Sequence, residues 1–342
     1  MVITHKNKNN KTAKTVVKIF KQNVILQLLI IIAVSVCLWM KAFVSPLPAT
    51  TPDGAAVLYE TLFAWLVPHP VLSAVLALLL VLAEGLWINS ILYNHKLIPQ
   101  NTLLPMLFFV TVMGFGRQQL TLTPMVVANI AIIGGMKQLM VPENLTISLD
   151  RIFNTALFTA IASLIYTPAM LVLVPMIIAF TIHNLYRWRH WVMLLLGFLA
   201  PYIIAATCYF MSDRLFYAYY LMRCDLSRFD IIVAPTTPWL TVTNILLLLL
   251  MTVALVSYTS RLGGRTTMFR KNSSVVTLLI ISAILMAFYG VAFPLSSQLF
   301  AIPAAFLLTT FFVNLPVSSG ISHKKWTWLY DIMLILTIVI SF

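Results

Sequence analysis

Long apolar runs recur along this chain, and the run from Val71 to Tyr93 shows what they allow. It carries a single acid, Glu84, close to its middle, and ends at the polar hinge Asn94–His95–Lys96. A bilayer core about 30 Å thick takes about 20 apolar residues as a helix. A strand of a membrane barrel would alternate apolar and polar residues instead. These runs do not alternate, so the sequence predicts an all-α, polytopic transmembrane helical bundle. Composition agrees: 61% of residues are hydrophobic and 9% charged, against about half and a quarter in soluble domains. The runs supply about 10–11 spans at the usual length.

The net charge of +13 is distributed as membrane topology requires. Six lysines (Lys6, Lys8, Lys11, Lys14, Lys18 and Lys21) fall in residues 1–21, expected to be a disordered cytoplasmic arm touching anionic headgroups. Val24 to Met40 follows as an uncleaved anchor, since Lys41-Ala42-Phe43 continues the chain where a signal peptide would end in small residues. Residues 22–342 form one transmembrane domain. Alternating the runs from a cytoplasmic N-terminus puts seventeen of the 22 basic residues inside, as the positive-inside rule demands. A charge placed this way argues against nucleic acid as a partner and for the lipid bilayer. Three scattered cysteines and six histidines without ligand spacing predict neither a disulfide framework nor a metal site.

Two longer segments fall outside, 45–70 and 212–237. In the first, Leu58, Leu62, Trp65 and Leu66 recur at helical spacing and predict a short amphipathic helix on the interface, with Glu60 on its other face. Asp53, between Pro52 and Gly54, suits a helix cap, or else a catalytic base. Later spans are expected at Asn101–Phe115, Thr123–Met140, Val192–Met211, Pro238–Tyr258, Ser274–Phe293, Gln298–Asn314 and Trp326–Phe342. The stretches Ile152–Tyr166 and Thr167–His183 are short, and read as two spans or one re-entrant hairpin.

Three features exceed a bland bundle. Glu84 lies roughly 20 Å from the outer end of its helix by rise, where an ionisable group marks a bundle interior, an ion path or a buried pair. Asn89 is about 140° further round that helix, so the two do not form one site; Asn129 is another intramembrane polar residue. Thr-Pro opens three runs (Thr123-Pro124, Thr167-Pro168, Thr237-Pro238), which is good helix-start chemistry and points partly positive helix ends outward. Finally, Arg117, Arg214, Arg223 and Arg228 lie outside, against the charge bias. They either pair with Asp213, Asp225 and Asp230 or offer forks for phosphate.

The segment carrying Ile88-Asn89, Asn94, Lys96-Leu97, Asn101 and Leu104-Pro105 resembles the region after the second span in a family of uncharacterised polytopic inner-membrane proteins of Bacteroidota. That resemblance implies a bacterial inner-membrane location and transfers no activity. In architecture, the first span and outer interfacial helix resemble glycosyltransferases that use polyprenyl-phosphate sugars, and the arginine-rich outer segment resembles polymerases and ligases of surface polysaccharide. The expectation is outer-face handling of a polyprenyl-phosphate-linked glycan in cell-envelope biogenesis. Asp53 or Glu60 would then stand at the acceptor and Arg117, Arg214, Arg223 and Arg228 on phosphate, with no cofactor beyond that lipid-linked substrate. The alternatives are a non-catalytic subunit that binds membrane-protein partners, and a transporter or flippase using Glu84.

Overall fold

A computed structural model of the chain describes residues 24–46, 56–98, 102–116, 120–141, 147–227, 238–287 and 298–313. These residues are helical, with no β-strand among them. The helices are α1 (Val24–Val44), α2 (Val57–Phe63), α3 (Pro70–Asn94), α4 (Leu104–Met113), α5 (Pro124–Leu139) and α6 (Leu149–Ile165). A 3-10 segment (Thr167–Val172) then leads into α7 (Leu173–Ile182). The remainder are α8 (Trp188–Met211), α9 (Leu215–Ser227), α10 (Pro238–Arg261), α11 (Thr267–Ala287) and α12 (Ala301–Val313). Five of them, α1, α3, α8, α10 and α11, are long and apolar enough to cross a membrane. The expected ten or eleven spans therefore include runs that are apolar but shorter.

Two of these, α4 and α12, sit innermost. Every residue of α4 is buried, and every residue of α12 except Val313. They pack on each other, with Phe108 stacked on Phe312 at 5.4 Å between centroids. A ten-residue helix rises only about 15 Å, half of a bilayer core about 30 Å thick, so α4 is shorter than the span expected at Asn101–Phe115. Its ends therefore need partners within the protein. At its start the Leu103 N–H donates to the side-chain oxygen of Gln27 on α1 (2.8 Å). At its end Gly114 lies against Leu38 and Trp39 of the same helix.

Small residues fix the other half of the bundle. Gly134 and Gly135 of α5 lie against Phe158 of α6 and Met176 of α7. On its far side α6 meets α8 at Gly197, where an added Cβ would collide with the Phe153 carbonyl oxygen. Close approach over small residues is how helices associate where water supplies no drive between them. The hydroxyl groups of Ser163 and Tyr202 pair across this seam at 2.8 Å.

Two ends of the bundle are defined by hydrogen bonds. At one, which we call the α2 end, Tyr59 donates to the Leu122 carbonyl (2.6 Å) and Leu122 N–H donates to Ser73 (3.0 Å). There too Ala56 N–H donates to Ile165 O (3.1 Å) and Tyr209 OH to Val57 O (3.0 Å). At the far end, Asn272 exchanges two hydrogen bonds with the Val141 backbone and Arg151 donates to Met140 O. Nine of the twelve described Lys and Arg residues belong to far-end helix termini and turns; Lys41, Arg214 and Arg223 belong to the α2 end. The segments 152–183 form an antiparallel pair, α6 running to the α2 end and α7 running back.

Three turns share one device. Lys96, Asn184 and Asp213 follow α3, α7 and α8 with φ of 54°, 59° and 54°. In each, the next residue's N–H reaches back five positions in the Schellman pattern: Leu97 to Leu92, Leu185 to Phe180, Arg214 to Tyr209.

Candidate functional site

The α2 end gathers two of the residues singled out from sequence. Helix α2 forms where the Leu58–Leu62–Trp65 spacing predicts it, continued by a 3-10 turn at Ala64–Leu66. The stripe is split, with Leu58 half-buried against the core. Leu62 and Trp65 face outward, while Val57, Tyr59 and Leu66 are buried. Tyr59 is the pin that sequence reasoning missed: it reaches 63 positions along the chain to Leu122.

Glu60 lies beside this pin and faces α9. Tyr217 donates a hydrogen bond to its Oε2 at 3.1 Å. The Schellman turn at Asp213 swings the chain from α8 into α9, and Ala218 N–H then donates to Arg214 O to start the helix. Arg214 is thereby fixed one turn before Tyr217. The hydrogen bond and charge of Glu60 push the Tyr217 phenol above its ordinary value, and the Arg214 charge opposes them. Tyr209 closes the group, its hydroxyl within 3.0 Å of Thr61 Oγ1. Arg223 lies exposed two to three turns further along α9. No ion pair joins Arg214 or Arg223 to Asp213; the Asp225 side chain and Asp230, the other expected partners, lie outside the described residues. Phe216, Tyr217, Tyr219 and Tyr220 expose aromatic surface along the same helix, the composition of a membrane–water boundary. Within segment 212–237, expected as a loop, residues 215–227 form α9, and residues 228–237 lie outside the described residues. Asp53, Arg117 and Arg228 lie outside the described residues.

Glu84 lies elsewhere. It is 1% exposed, and neither carboxyl oxygen has a hydrogen-bond partner. The buried face of α3 is broad, running through Ser73, Ala77, Val81, Glu84, Gly85, Ile88 and Asn89. At 100° per residue Glu84 falls on the edge that holds Ser73, and Asn89 on the opposite edge. Ser73 contacts the start of α5 through Leu122, whereas Gly85, between the two edges, faces Met106 and Phe109 of α4. Asn89 and Glu84 are both buried and remain separate, as their spacing predicts. Asn89 Oδ1 also lacks a partner.

Asn129 is fully buried on α5, its amide 3.8 Å from Met113 Sδ and its Oδ1 without a partner. It lines a small cavity with Met125, Val172, Leu279, Ser282 and Ile302. Neither Glu84 nor Glu60 lines this cavity. The helix starts behave unequally. Thr123 caps α5, accepting from Val126 N–H (3.3 Å) and donating to Gln298 (3.1 Å). Pro238 opens α10, but Thr167-Pro168 opens a 3-10 segment, not an α-helix.

No group of His, Cys, Asp and Glu among the described residues could hold a metal ion. The arrangement can offer a carboxylate, a phenol and a guanidinium on one exposed, aromatic interface. No protein-family model, curated protein or solved structure matches the chain.

Proposed function

We propose that this is a multi-pass protein of a bacterial inner membrane that handles a polyprenyl-phosphate-linked glycan on the outer surface. One observation carries the reading: Glu60 on α2 is tied to Tyr217 on α9 with Arg214 acting on the same phenol, at the end of the bundle poorer in basic residues. Charge asymmetry supports placing the α2 end outside, since cytoplasmic segments carry the excess of Lys and Arg. Guanidinium groups grip phosphate with a planar fork, and tyrosine faces suit sugar rings and headgroups. In this role Arg214, beside Glu60, holds the phosphate. Arg223, roughly 14 Å further along α9 by rise, meets a second phosphate of the substrate or of the bilayer. The α9 aromatics lie along the glycan and prenyl boundary, and Glu60 orients or accepts a proton from an acceptor hydroxyl. The Bacteroidota resemblance around Asn94–Pro105 agrees with the proposed location.

The experiment is binding and turnover of a polyprenyl-phosphate sugar by the full chain in liposomes. Arg214→Ala with Arg223→Ala lowers affinity about tenfold or more if both contact phosphate, Glu60→Gln removes turnover, and Arg187→Ala at the far end changes neither. Wild-type affinity in the double variant would sink the proposal.

A second reading rests on Glu84, fully enclosed and unpartnered at mid-helix. Intramembrane carboxyls of this kind serve proton or ion translocation. In that case Glu84→Gln abolishes pH-dependent flux in vesicles; unchanged flux across a pH series removes this reading.

A further inference from the structure

The cavity beside Asn129 has a chemistry that neither functional reading uses. It lies where the first two turns of α5 and the start of α12 meet α11 and the end of the 3-10 segment, and every residue that lines it is buried. It leaves about 10 Å³ to the centre of a water-sized sphere, the lower limit of the room that one water needs. Size alone therefore excludes a lipid headgroup, a sugar or a phosphate.

Its walls are apolar except at three points. Asn129, 0% exposed, spends its amide nitrogen on Met113 Sδ, which lies outside the lining, and its Oδ1 has no partner. Ser282, 4% exposed, donates its proton to the Leu279 carbonyl at 2.8 Å, so its oxygen has only lone pairs left to offer. Ile302 is the second residue of α12, and an N–H at that position has no carbonyl within its own helix to meet. Asn129 and Ser282 share no direct hydrogen bond.

These groups define the occupant. It must bring two donors, for Asn129 Oδ1 and Ser282 Oγ, and one acceptor, for the Ile302 N–H. A cation would face the partly positive starts of α5 and α12. An anion would face the lone pairs of Asn129 and Ser282, and a hydrocarbon group would leave a buried acceptor bare.

We propose that this cavity binds one ordered water, which donates to Asn129 Oδ1 and Ser282 Oγ, accepts from the Ile302 N–H, and so ties α5, α11 and α12 together. Buried waters make about three such bonds, and a bridge through one is nearly as favourable as a direct hydrogen bond. The site is independent of the α2 end, and its failure would leave the reading of that end untouched.

The test is a map of the full chain in nanodiscs that resolves ordered waters elsewhere in the bundle. A peak is expected within about 2.5–3.0 Å of both Asn129 Oδ1 and Ser282 Oγ, and is expected to be gone in Asn129→Leu. The wild-type map alone decides whether the site is filled. A double-mutant cycle, read by unfolding midpoints, decides whether the water bridges. Ser282→Ala lowers the midpoint of the wild type, and lowers that of Asn129→Leu by about half as much or less. Thr277→Ala removes a hydroxyl of α11 that bonds only within its own helix, and its effect is the same in both backgrounds. A cavity without a peak, an Asn129 amide turned to donate directly to Ser282, or additive losses for Asn129 and Ser282 overturns the proposal.

Discussion

Helices α4 and α8 are both apolar, and their surroundings are opposite. All ten residues of α4 are buried, while of the 24 in α8 only Gly197 and Pro201 are. Both compositions would pass as membrane spans, so composition does not say which helix faces lipid. Length does: α8 can cross a bilayer core and meet lipid on most of its surface, whereas α4 rises about 15 Å and must be walled in. The apolar side chains of α4 pack against protein, and those of α8 are exposed, as suits a helix facing hydrocarbon.

The sharpest test of that contrast is paired truncation. Phe108→Ala on α4 removes the ring stacked on Phe312 and costs about 3–5 kcal/mol, read as a large fall in the detergent unfolding midpoint. Leu195→Ala on the exposed side of α8 stays within about 0.5 kcal/mol. Equal costs would erase the distinction. Next in size is the single tight seam of α8. Gly197→Val drives a side chain into the Phe153 carbonyl and costs about 2–3 kcal/mol by overpacking, measurable in the same assay.

A pH-gated effect follows at the far end. Burial, with the nearby Lys271 charge, lowers His183 to about 4 from its ordinary 6.5. The unfolded chain therefore binds a proton at this site more readily than the folded one. Stability from the neutral imidazole is present above about 6.5, declines as the pH falls, and is gone below about 4. An unfolding series from pH 7.5 to 4 shows this decline, and His183→Asn flattens it.

Smaller effects separate the enclosed and exposed ties of α2. Tyr59→Phe loses a buried hydrogen bond to Leu122 and costs about 1 kcal/mol. Tyr217→Phe, with its partner Glu60 in reach of solvent, costs under about 0.5 kcal/mol; the unfolding midpoints of the two variants settle the order. Smallest is a gain. Lys96→Gly relieves a left-handed residue in the turn after α3 and stabilises by about 0.5–1 kcal/mol, visible as a slight rise in midpoint.

What could be read beforehand follows from how local each signal is. Pro70, Pro124 and Pro238 mark helix starts because proline fixes its own φ and lacks an N–H where none is needed. The Leu58–Trp65 spacing gives α2, and the 140° between Glu84 and Asn89 keeps those residues apart on α3. The long-range partners were not legible. Nothing near Tyr59 announces Leu122, and nothing near Glu60 announces Tyr217, 157 positions away. The stripe at Leu62 and Trp65 was visible without its direction, because lipid and protein both accept apolar side chains. Run length misled at Asn101–Phe115, where apolar loop residues extend a helix of ten.

The enclosure of α4 has a consequence for biosynthesis. A helix too short to cross the bilayer is a poor substrate for independent insertion, since its terminal backbone groups would meet hydrocarbon unpaired. Gln27, already synthesised, can receive the Leu103 N–H at once. Phe312, which covers Phe108, leaves the ribosome about two hundred residues later. Until then α4 lacks its lid, so the nascent chain must keep a lateral gap beside α1 and α3 that α12 fills at the last stage of assembly.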